Sequence, residues 1–255
     1  MSDTAKNLTE VIKNITEVPT VKRTFDNWLY RKTRKFNLES EMMQLEDAEN
    51  MKKFHESLQN GAKAIPEEFR IEPKRCIADR AYDRSLYYIE EEELIKLFEN
   101  LIVASADARY AKNNHPAFIS IIEQLSPLDA QNLRLFKGVS SLPLVDYIYN
   151  YQHGKYHIFQ PDVFLENPNE QDIELQSVSI RNLARLALIE LPEKDLARVN
   201  NPSKYAKYKE TSLYQERLKM FEEGEFSLEI IGVDMLCSYA KVTPFGKSFI
   251  ETCVR

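Results

Sequence analysis

The chain is poor in the residue types on which several common sites depend. Its 255 residues include 6 Gly and 3 Cys, and the cysteines are far apart, at Cys76, Cys237 and Cys253. No sequence of the form GxxxxGK[ST], GxGxxG or GxSxG occurs, which excludes the phosphate loops and the nucleophile elbow that these motifs encode. No CxxC or HExxH motif is present either. The sequence therefore predicts no metal site and no cofactor.

Long apolar runs are also missing. The longest candidate, 94–106, is interrupted by Lys96, Glu99, Asn100 and Ser105, whereas a membrane-spanning helix needs about 20 apolar residues. The polar N-terminus lacks the apolar core of a signal peptide, and an odd number of scattered cysteines is typical of a reducing compartment. We therefore expect a cytoplasmic protein with no integral membrane span.

Basic residues are outnumbered overall but concentrated locally. The chain has 34 Lys and Arg against 40 Asp and Glu, a net charge of -6, which excludes a polycation that coats nucleic acid. The stretch 21–36 nevertheless combines cations with aromatic residues, a pattern that binds anionic surfaces or partners. In the alternative interpretation the cations stay in water while the tryptophan packs into the core. The candidate residues are Lys22, Arg23, Trp28, Arg31, Lys32, Arg34 and Lys35.

Hydrophobic periodicity predicts helices along much of the chain. One helix is expected over 4–18, and a second apolar stripe runs from Leu38 to Leu58, with Gly61 as its C-cap. This stripe is suited to self-pairing or, alternatively, to packing within the chain. The linker 65–73 precedes four helices between residues 76 and 136. The predicted domains are 1–62, an N-terminal helical segment; 63–137, a compact helical unit; and 138–255.

Three groups of residues are candidates for catalytic or metal sites. The first, the four consecutive acids 90–93, points in four directions on a helix and cannot converge on one ion, so we expect it to cap the helix and aid solubility. Ser105, Asp107 and His115 are near one another in sequence, but we expect loop and cap hydrogen bonds from the acid and the imidazole. His153 and His157 are four residues apart, yet Gly154 and the surrounding aromatic residues favour a turn and a strand over a metal-binding helix. No catalytic constellation is predicted, and we expect a protein that is not an enzyme.

The pattern of elements in 138–255 is typical of a winged helix. A helix over Ser177 to Leu188 is followed by a short strand, and the chain closes with a strand, a turn at Pro244 to Gly246 and an amphipathic helix. A largely helical insertion interrupts the wing between Pro192 and Phe226. We therefore predict a mainly α protein: N-terminal helices and a compact helical unit, followed by a winged-helix-like module with a small β wing.

Polar and basic residues of this module form a candidate nucleic-acid surface. Three of them fall on one arc of the Ser177 helix, opposite its apolar face. That arc is alternatively a solvated helix face, and the insertion alternatively replaces DNA contact by protein contact. The candidate residues are Arg181, Asn182, Arg185, Lys204, Lys207, Lys209 and Lys241.

Three blocks of sequence resemble a known bacterial family. IEEEELIKLFENLIVASAD (89–107), HPAFISIIEQLSPLDA (115–130) and VTPFGKSFIETCV (242–254) closely resemble blocks of the abortive infection alpha family. SIRNLARLALIEL occupies the place of the family's second-helix segment, with Ala187 where the family has Gly. Where many members have an apolar N-terminal segment rich in Gly and Ala, this chain has the charged stretch around Trp28.

The resemblance implies bacterial defence against phage, by growth arrest or death of the infected cell, and it supplies no catalytic residues. Our first hypothesis is therefore a defence protein that binds a target, with a protein partner or self-association, and with no known small-molecule ligand. The second is a winged-helix DNA-binding regulator, and the third is an undetected nuclease or hydrolase.

Overall fold

A computed structural model describes residues 28–29, 45–192, 202–227 and 229–255; for residues 45–47 and 202 it describes the backbone alone. The chain divides into two compact units. We call Met1–Pro127 together with Glu251–Arg255 the helical unit, and Leu128–Ile250 the sheet unit. The predicted helix over 4–18 lies outside the described residues.

Four α-helices form the described part of the helical unit. One of them, α3, is central, because ten of its fourteen residues are buried and it packs against α1, α2 and α4. The acidic residues at its start lie where the helix dipole favours negative charge. The helices are α1 (Leu45–Lys63), α2 (Arg75–Ser85), α3 (Glu92–Ser105) and α4 (Ala117–Ile122), with 3₁₀ turns at Glu67–Phe69 and Leu86–Tyr88.

The sequence predicts Gly61 as the C-cap of α1, and this prediction is wrong. The helix continues to Lys63, and a Cβ atom on Gly61 would come within 2.7 Å of Val103 Cγ2 on α3. The glycine is therefore needed for the close approach of two helices. Sequence periodicity cannot distinguish this role from that of a cap.

The apolar stripe of α1 packs within the chain. Met51, Phe54 and Leu58 are all buried, which agrees with the intramolecular alternative. Trp28 is buried as well: its indole Nε1 donates a hydrogen bond to Asp79, and its ring meets Tyr82 edge to face. The expected burial of this tryptophan is thus confirmed, whereas the cations of the same interpretation lie outside the described residues.

The sheet unit contains a curled four-stranded antiparallel sheet in the order β2-β1-β4-β3. The two central strands pair along their whole length, from Ser141↔Lys241 to Tyr151↔Ile230. The strands are β1 (Ser141–Tyr151), β2 (Tyr156–Val163), β3 (Ile189–Glu190) and β4 (Ile230–Val242). The helices are α5 (Pro127–Leu135), α6 (Ile173–Arg185), α7 (Ser212–Glu222) and α8 (Pro244–Cys253).

The winged-helix prediction is wrong. A winged helix has a small β hairpin as its wing, whereas here β4 is 13 residues long and its main partner is β1. The short strand β3 is correctly placed but makes only two residue pairs with β4. The fold is helices plus a sheet, because two long strands nearly 80 residues apart in sequence pair with each other.

The insertion forms part of the core of the sheet unit. A 3₁₀ segment (Pro202–Glu210) and α7 place Tyr205, Tyr208 and Tyr214 against the sheet residues Val145 and Tyr147. The tyrosine hydroxyls find backbone partners: Tyr205 donates to Ser238 O at 2.7 Å and Tyr208 to Pro143 O at 3.0 Å. The insertion therefore covers one face of the sheet and is required to bury it.

Helix α6 begins four residues earlier than predicted and ends in a tight turn. Asp172 caps its N-terminus by accepting hydrogen bonds from the amides of Glu174 and Leu175. At the other end Ala187 has a positive φ of 57°, and the amide of Leu188 bonds to Leu183 O at 3.0 Å. This is the hydrogen-bond pattern of a Schellman C-cap, whose left-handed position is usually glycine.

Candidate functional site

A cleft of about 470 Å³ lies between α1 and the start of α3 in the helical unit. Its size is within the range of small-ligand sites, and its lining mixes apolar and polar groups as such sites do. Both helices contribute polar side chains and one large apolar side chain to the lining. The lining residues are Asn50, Lys53, Phe54, Ser57, Ile89, Glu90, Glu92, Ile95, Lys96 and Glu99.

A hydrogen-bonded triangle forms the polar part of this cleft. The Ser57 hydroxyl and the Lys96 ammonium each donate to Glu99 Oε2 at 2.7 Å, and Lys96 Nζ is 3.3 Å from Ser57 Oγ. Glu99 is only 7% exposed, so its carboxylate needs these donors to offset the cost of burial. The triangle joins α1 to α3 and presents a fixed set of donors and acceptors to the cleft.

The sequence candidates Ser105, Asp107 and His115 are engaged in local hydrogen bonds. The Ser105 hydroxyl donates to Ile102 O, and His115 Nδ1 accepts from the Ala117 amide. Asp107 is fully buried and receives two guanidinium hydrogen bonds from Arg109. Burial alone would raise the pKa of Asp107, but the hydrogen bonds and charge of Arg109 outweigh it and lower the pKa. The loop and cap roles expected of Asp107 and His115 are confirmed.

The three predicted nucleic-acid contacts on α6 point toward acidic or amide partners. Arg181 forms an ion pair with the buried Asp162. Asn182 donates to Asp129 Oδ2 at 2.8 Å, and Arg185 donates to Asn182 Oδ1 at 2.8 Å. The Arg181 and Asn182 contacts hold α6 to β2 and α5, and the Arg181–Asp162 pair offsets a positive charge that phosphate binding would use.

The predicted lysines of the sheet unit are paired in the same way. Lys207 lies 2.8 Å from Glu166, Lys209 lies 3.3 Å from Asp234, and Lys241 lies 2.7 Å from Glu190. Lys204 is exposed, and within the described residues it makes no ion pair. The structure therefore places these cations on one unit without concentrating free positive charge there, and DNA contact by them remains a prediction.

The basic stretch of the N-terminal region lies outside the described residues, apart from Trp28 and Leu29. Binding of an anionic surface or partner by Lys22, Arg23, Arg31, Lys32, Arg34 and Lys35 therefore stays a prediction. Trp28 itself is buried.

His153 and His157 lie in a turn and in a strand, as the sequence predicted. His153 is in the 3₁₀ turn Gln152–Gly154 with a φ of 63°, and His157 is in β2 opposite Tyr149. Over the described ranges, no three His, Cys, Asp or Glu side chains are grouped so that they could hold a metal ion. None of the helices in those ranges has the length and apolar character required to cross a bilayer.

A comparison with known protein families shows to which family this chain belongs. The family model described as abortive infection alpha matches residues 46–253. The chain belongs to this family. No curated protein and no solved structure matches it.

The matched region of this abortive infection alpha chain includes the cleft and both units. Of the three blocks that resembled the family, the first contains α3 and with it Lys96 and Glu99. The third contains α8, where the Thr243 hydroxyl donates to Ala187 O at 2.6 Å and accepts from the Gly246 amide at 2.8 Å. The Thr-Pro-x-Gly sequence thus starts a helix, with the threonine as its cap.

Sequence analysis missed the cleft of the abortive infection alpha chain, although one signal was present. Lys96 and Glu99 interrupt the apolar run 94–106, and they were interpreted only as evidence against a membrane span. A carboxylate inside a buried stripe requires partners. Its partner Ser57, however, is 42 residues away on another helix, and spacing in the sequence could not identify it.

Proposed function

We propose that this chain protects bacteria from phage by abortive infection and that it acts by binding a target in the α1–α3 cleft. Membership of the abortive infection alpha family, over residues 46–253, supports the defence role. The observation that supports binding is the cleft itself, whose apolar walls and fixed polar triangle are typical of ligand sites. The target is a protein partner or a smaller molecule that carries the same recognised group.

The geometry of Ser57 favours binding over nucleophilic catalysis. Its hydroxyl lies in the middle of α1, where the helix hydrogen bonds use the surrounding backbone N–H groups. A serine nucleophile requires N–H donors that stabilise an oxyanion, and those of its own helix are engaged. Ser57 instead acts as a hydrogen-bonding contact between the two walls.

Phage infection of bacteria that express the chain tests the defence role. We expect fewer plaques, and we expect infected cultures to survive at low multiplicity of infection but to collapse at high multiplicity. This pattern distinguishes death of infected cells from blocked adsorption. If no phage of a broad panel forms fewer plaques on expressing cells, the proposal is wrong.

Two substitutions at one position separate binding from catalysis. Ser57→Trp fills the cleft, and we expect it to abolish protection because a target can no longer enter. Ser57→Ala removes only the hydroxyl, and we expect it to reduce protection by less than about tenfold, the effect of about 1.4 kcal/mol. Loss of protection in both variants, with unchanged thermal unfolding, would instead assign a chemical role to the hydroxyl. The exposed Lys137→Ala serves as the control for expression.

A further inference from the structure

The charges that line the cleft do not balance. Three carboxylates (Glu90, Glu92 and Glu99) face two ammonium groups, those of Lys53 and Lys96. Lys96 is bound to Glu99 at 2.7 Å, and Lys53 pairs with Glu49 at 3.0 Å, a residue outside the lining. Within the described part of the chain, Glu90 and Glu92 are therefore left without an ion pair. The entrance to the cleft is negative.

The interior of the cleft has a further acceptor. Glu99 is more than nine-tenths buried, and both of its donors, from Ser57 and Lys96, bond to Oε2. Among the described residues, none donates a hydrogen bond to its second oxygen, Oε1. An oxygen of a largely buried carboxyl group that is open to a cavity is a strong acceptor for a charged donor, because the low local dielectric strengthens the hydrogen bond.

Apolar side chains line the cleft together with these carboxylates. Phe54 and Ile95 are buried, and Ile89 lines the same cleft. These side chains offer van der Waals contact to methylene groups and no hydrogen bond. A ligand that fits this arrangement has an aliphatic stem and a positively charged end.

We infer that the α1–α3 cleft binds an organic cation, an ammonium or guanidinium group on an aliphatic stem, with Glu99 as the interior acceptor and Glu90 and Glu92 at the entrance. Such a group is the end of a basic side chain on a partner protein, or of a free polyamine. An anion is disfavoured because both lysines of the cleft already have carboxylate partners. This inference rests on the proposed function only in using the same cleft as the binding surface.

Isothermal titration calorimetry of the full chain tests the inference with two probes, spermidine and a tetralysine peptide. The acetylated form of that peptide lacks side-chain charge and serves as the neutral analogue. We expect spermidine or the charged peptide, but not the neutral analogue, to bind at about 150 mM salt, where exposed charges are screened beyond about 8 Å. Binding of spermidine alone identifies a free amine as the ligand, and binding of the peptide alone identifies a basic side chain.

Three variants locate the binding. Glu99→Gln and the double variant Glu90→Gln/Glu92→Gln should each raise the dissociation constant at least about tenfold. The matched control Glu210→Gln/Glu222→Gln removes two exposed carboxylates of the sheet unit and should leave it unchanged. An equal effect of the control would show nonspecific attraction to a negative protein and overturn the inference, as would failure of both cations to bind. Glu90 and Glu92 are exposed, so their variant remains informative if Glu99→Gln unfolds.

The phage assay on the same variants separates this inference from the proposed function. If neither cation binds while Ser57→Trp still abolishes protection, the cation inference fails and the function stands. If the cations bind and the glutamate variants lose binding but keep full protection, the cation site stands. Defence then does not act through the cleft.

Discussion

Ala187 adopts a left-handed backbone conformation that costs an L-amino acid about 1–2 kcal/mol relative to glycine. The conformation is required because Ala187 turns the chain from α6 into β3 while the helix end closes with a bond from Leu188 to Leu183. Glycine, which adopts this conformation without strain, would therefore fit this position better than alanine.

Ala187→Gly should stabilise the protein. Glycine relieves the strain but loses more conformational entropy on folding, so we expect a net gain of about 1 kcal/mol in the free energy of unfolding. Urea unfolding followed by circular dichroism measures it. The control is Ala184→Gly, inside the same helix, which should lose about 1 kcal/mol. Equal losses in the two variants would show that the positive φ of Ala187 carries no strain.

His55 makes stability depend on pH. Burial lowers the pKa of this histidine from 6.5 to about 4, and its ring stacks on Tyr82 while its Nε2 lies 2.6 Å from the Tyr82 hydroxyl. Below pH 6.5 His55 is protonated in the unfolded chain, but in the folded chain it stays neutral until the pH approaches 4. Stability is therefore complete above pH 6.5 and is lost as the pH falls toward 4, by about 3 kcal/mol for this one group.

The fluorescence of Trp28, the single tryptophan of the chain, reports on this region because Trp28 packs on Tyr82. Denaturant unfolding at several values between pH 7 and pH 4 should show a steeper loss of stability for the native chain than for His55→Gln, which cannot be protonated. His115→Gln, at an exposed position, should behave like the native chain. Parallel pH profiles for the native chain and His55→Gln would contradict the prediction.

At the scale of elements, the tyrosines of the insertion hold the sheet unit together. Tyr208 is fully buried, and its single hydroxyl proton lies within reach of two acceptors, Pro143 O at 3.0 Å and Glu166 Oε1 at 3.1 Å. Its own carbonyl accepts from the Tyr147 hydroxyl at 2.5 Å. Burial raises the pKa of Tyr147 to about 12 and that of Tyr208 further, so both hydroxyls keep their protons and act as donors. One residue thus contacts β1 and the segment after β2.

Tyr208→Ala should destabilise the sheet unit by about 3–5 kcal/mol, the usual cost of removing a buried aromatic ring. Hydrogen exchange of peptides from β1 and β4 measures this locally. The same substitution at Tyr87, which is 79% exposed, should change stability by less than about 0.5 kcal/mol. If the hydrogen exchange of β1 and β4 is unchanged in Tyr208→Ala, the insertion does not stabilise the sheet.

Local signals in the sequence were enough for most elements but not for their assembly. The proline at 127 marks the start of α5, and Gly154 with the surrounding aromatic residues indicates a turn and a strand that the structure confirms. The pairing of β1 with β4 depends on contacts such as Val145↔Cys237, which no local pattern encodes. Because this pairing is not evident from the sequence, β3, β4 and α8 are predicted correctly as elements but are wrongly assigned to a winged helix.

At the scale of the whole molecule, the net charge of -6 does not describe how the charges are arranged locally. Lys207, Lys209 and Lys241 each have a carboxylate partner, which composition alone could not reveal. Glu90 and Glu92 differ from other exposed carboxylates, such as Glu210 and Glu222, because they line a cleft that also contains the buried carboxylate of Glu99. Their position, and not the total charge, distinguishes the cleft.

The division into units has a consequence for synthesis. Residues 251–255 belong to the helical unit, where Cys253 and Val254 are buried and the carbonyl of Cys253 accepts a hydrogen bond from Asn100 at 2.8 Å. A ribosome releases the chain from its N-terminal end and domains fold as they emerge. Most of the helical unit is translated before the sheet unit. Its last residues, 251–255, are translated after the sheet unit, so its packing is incomplete until then. The order of completion is therefore the reverse of the order of emergence.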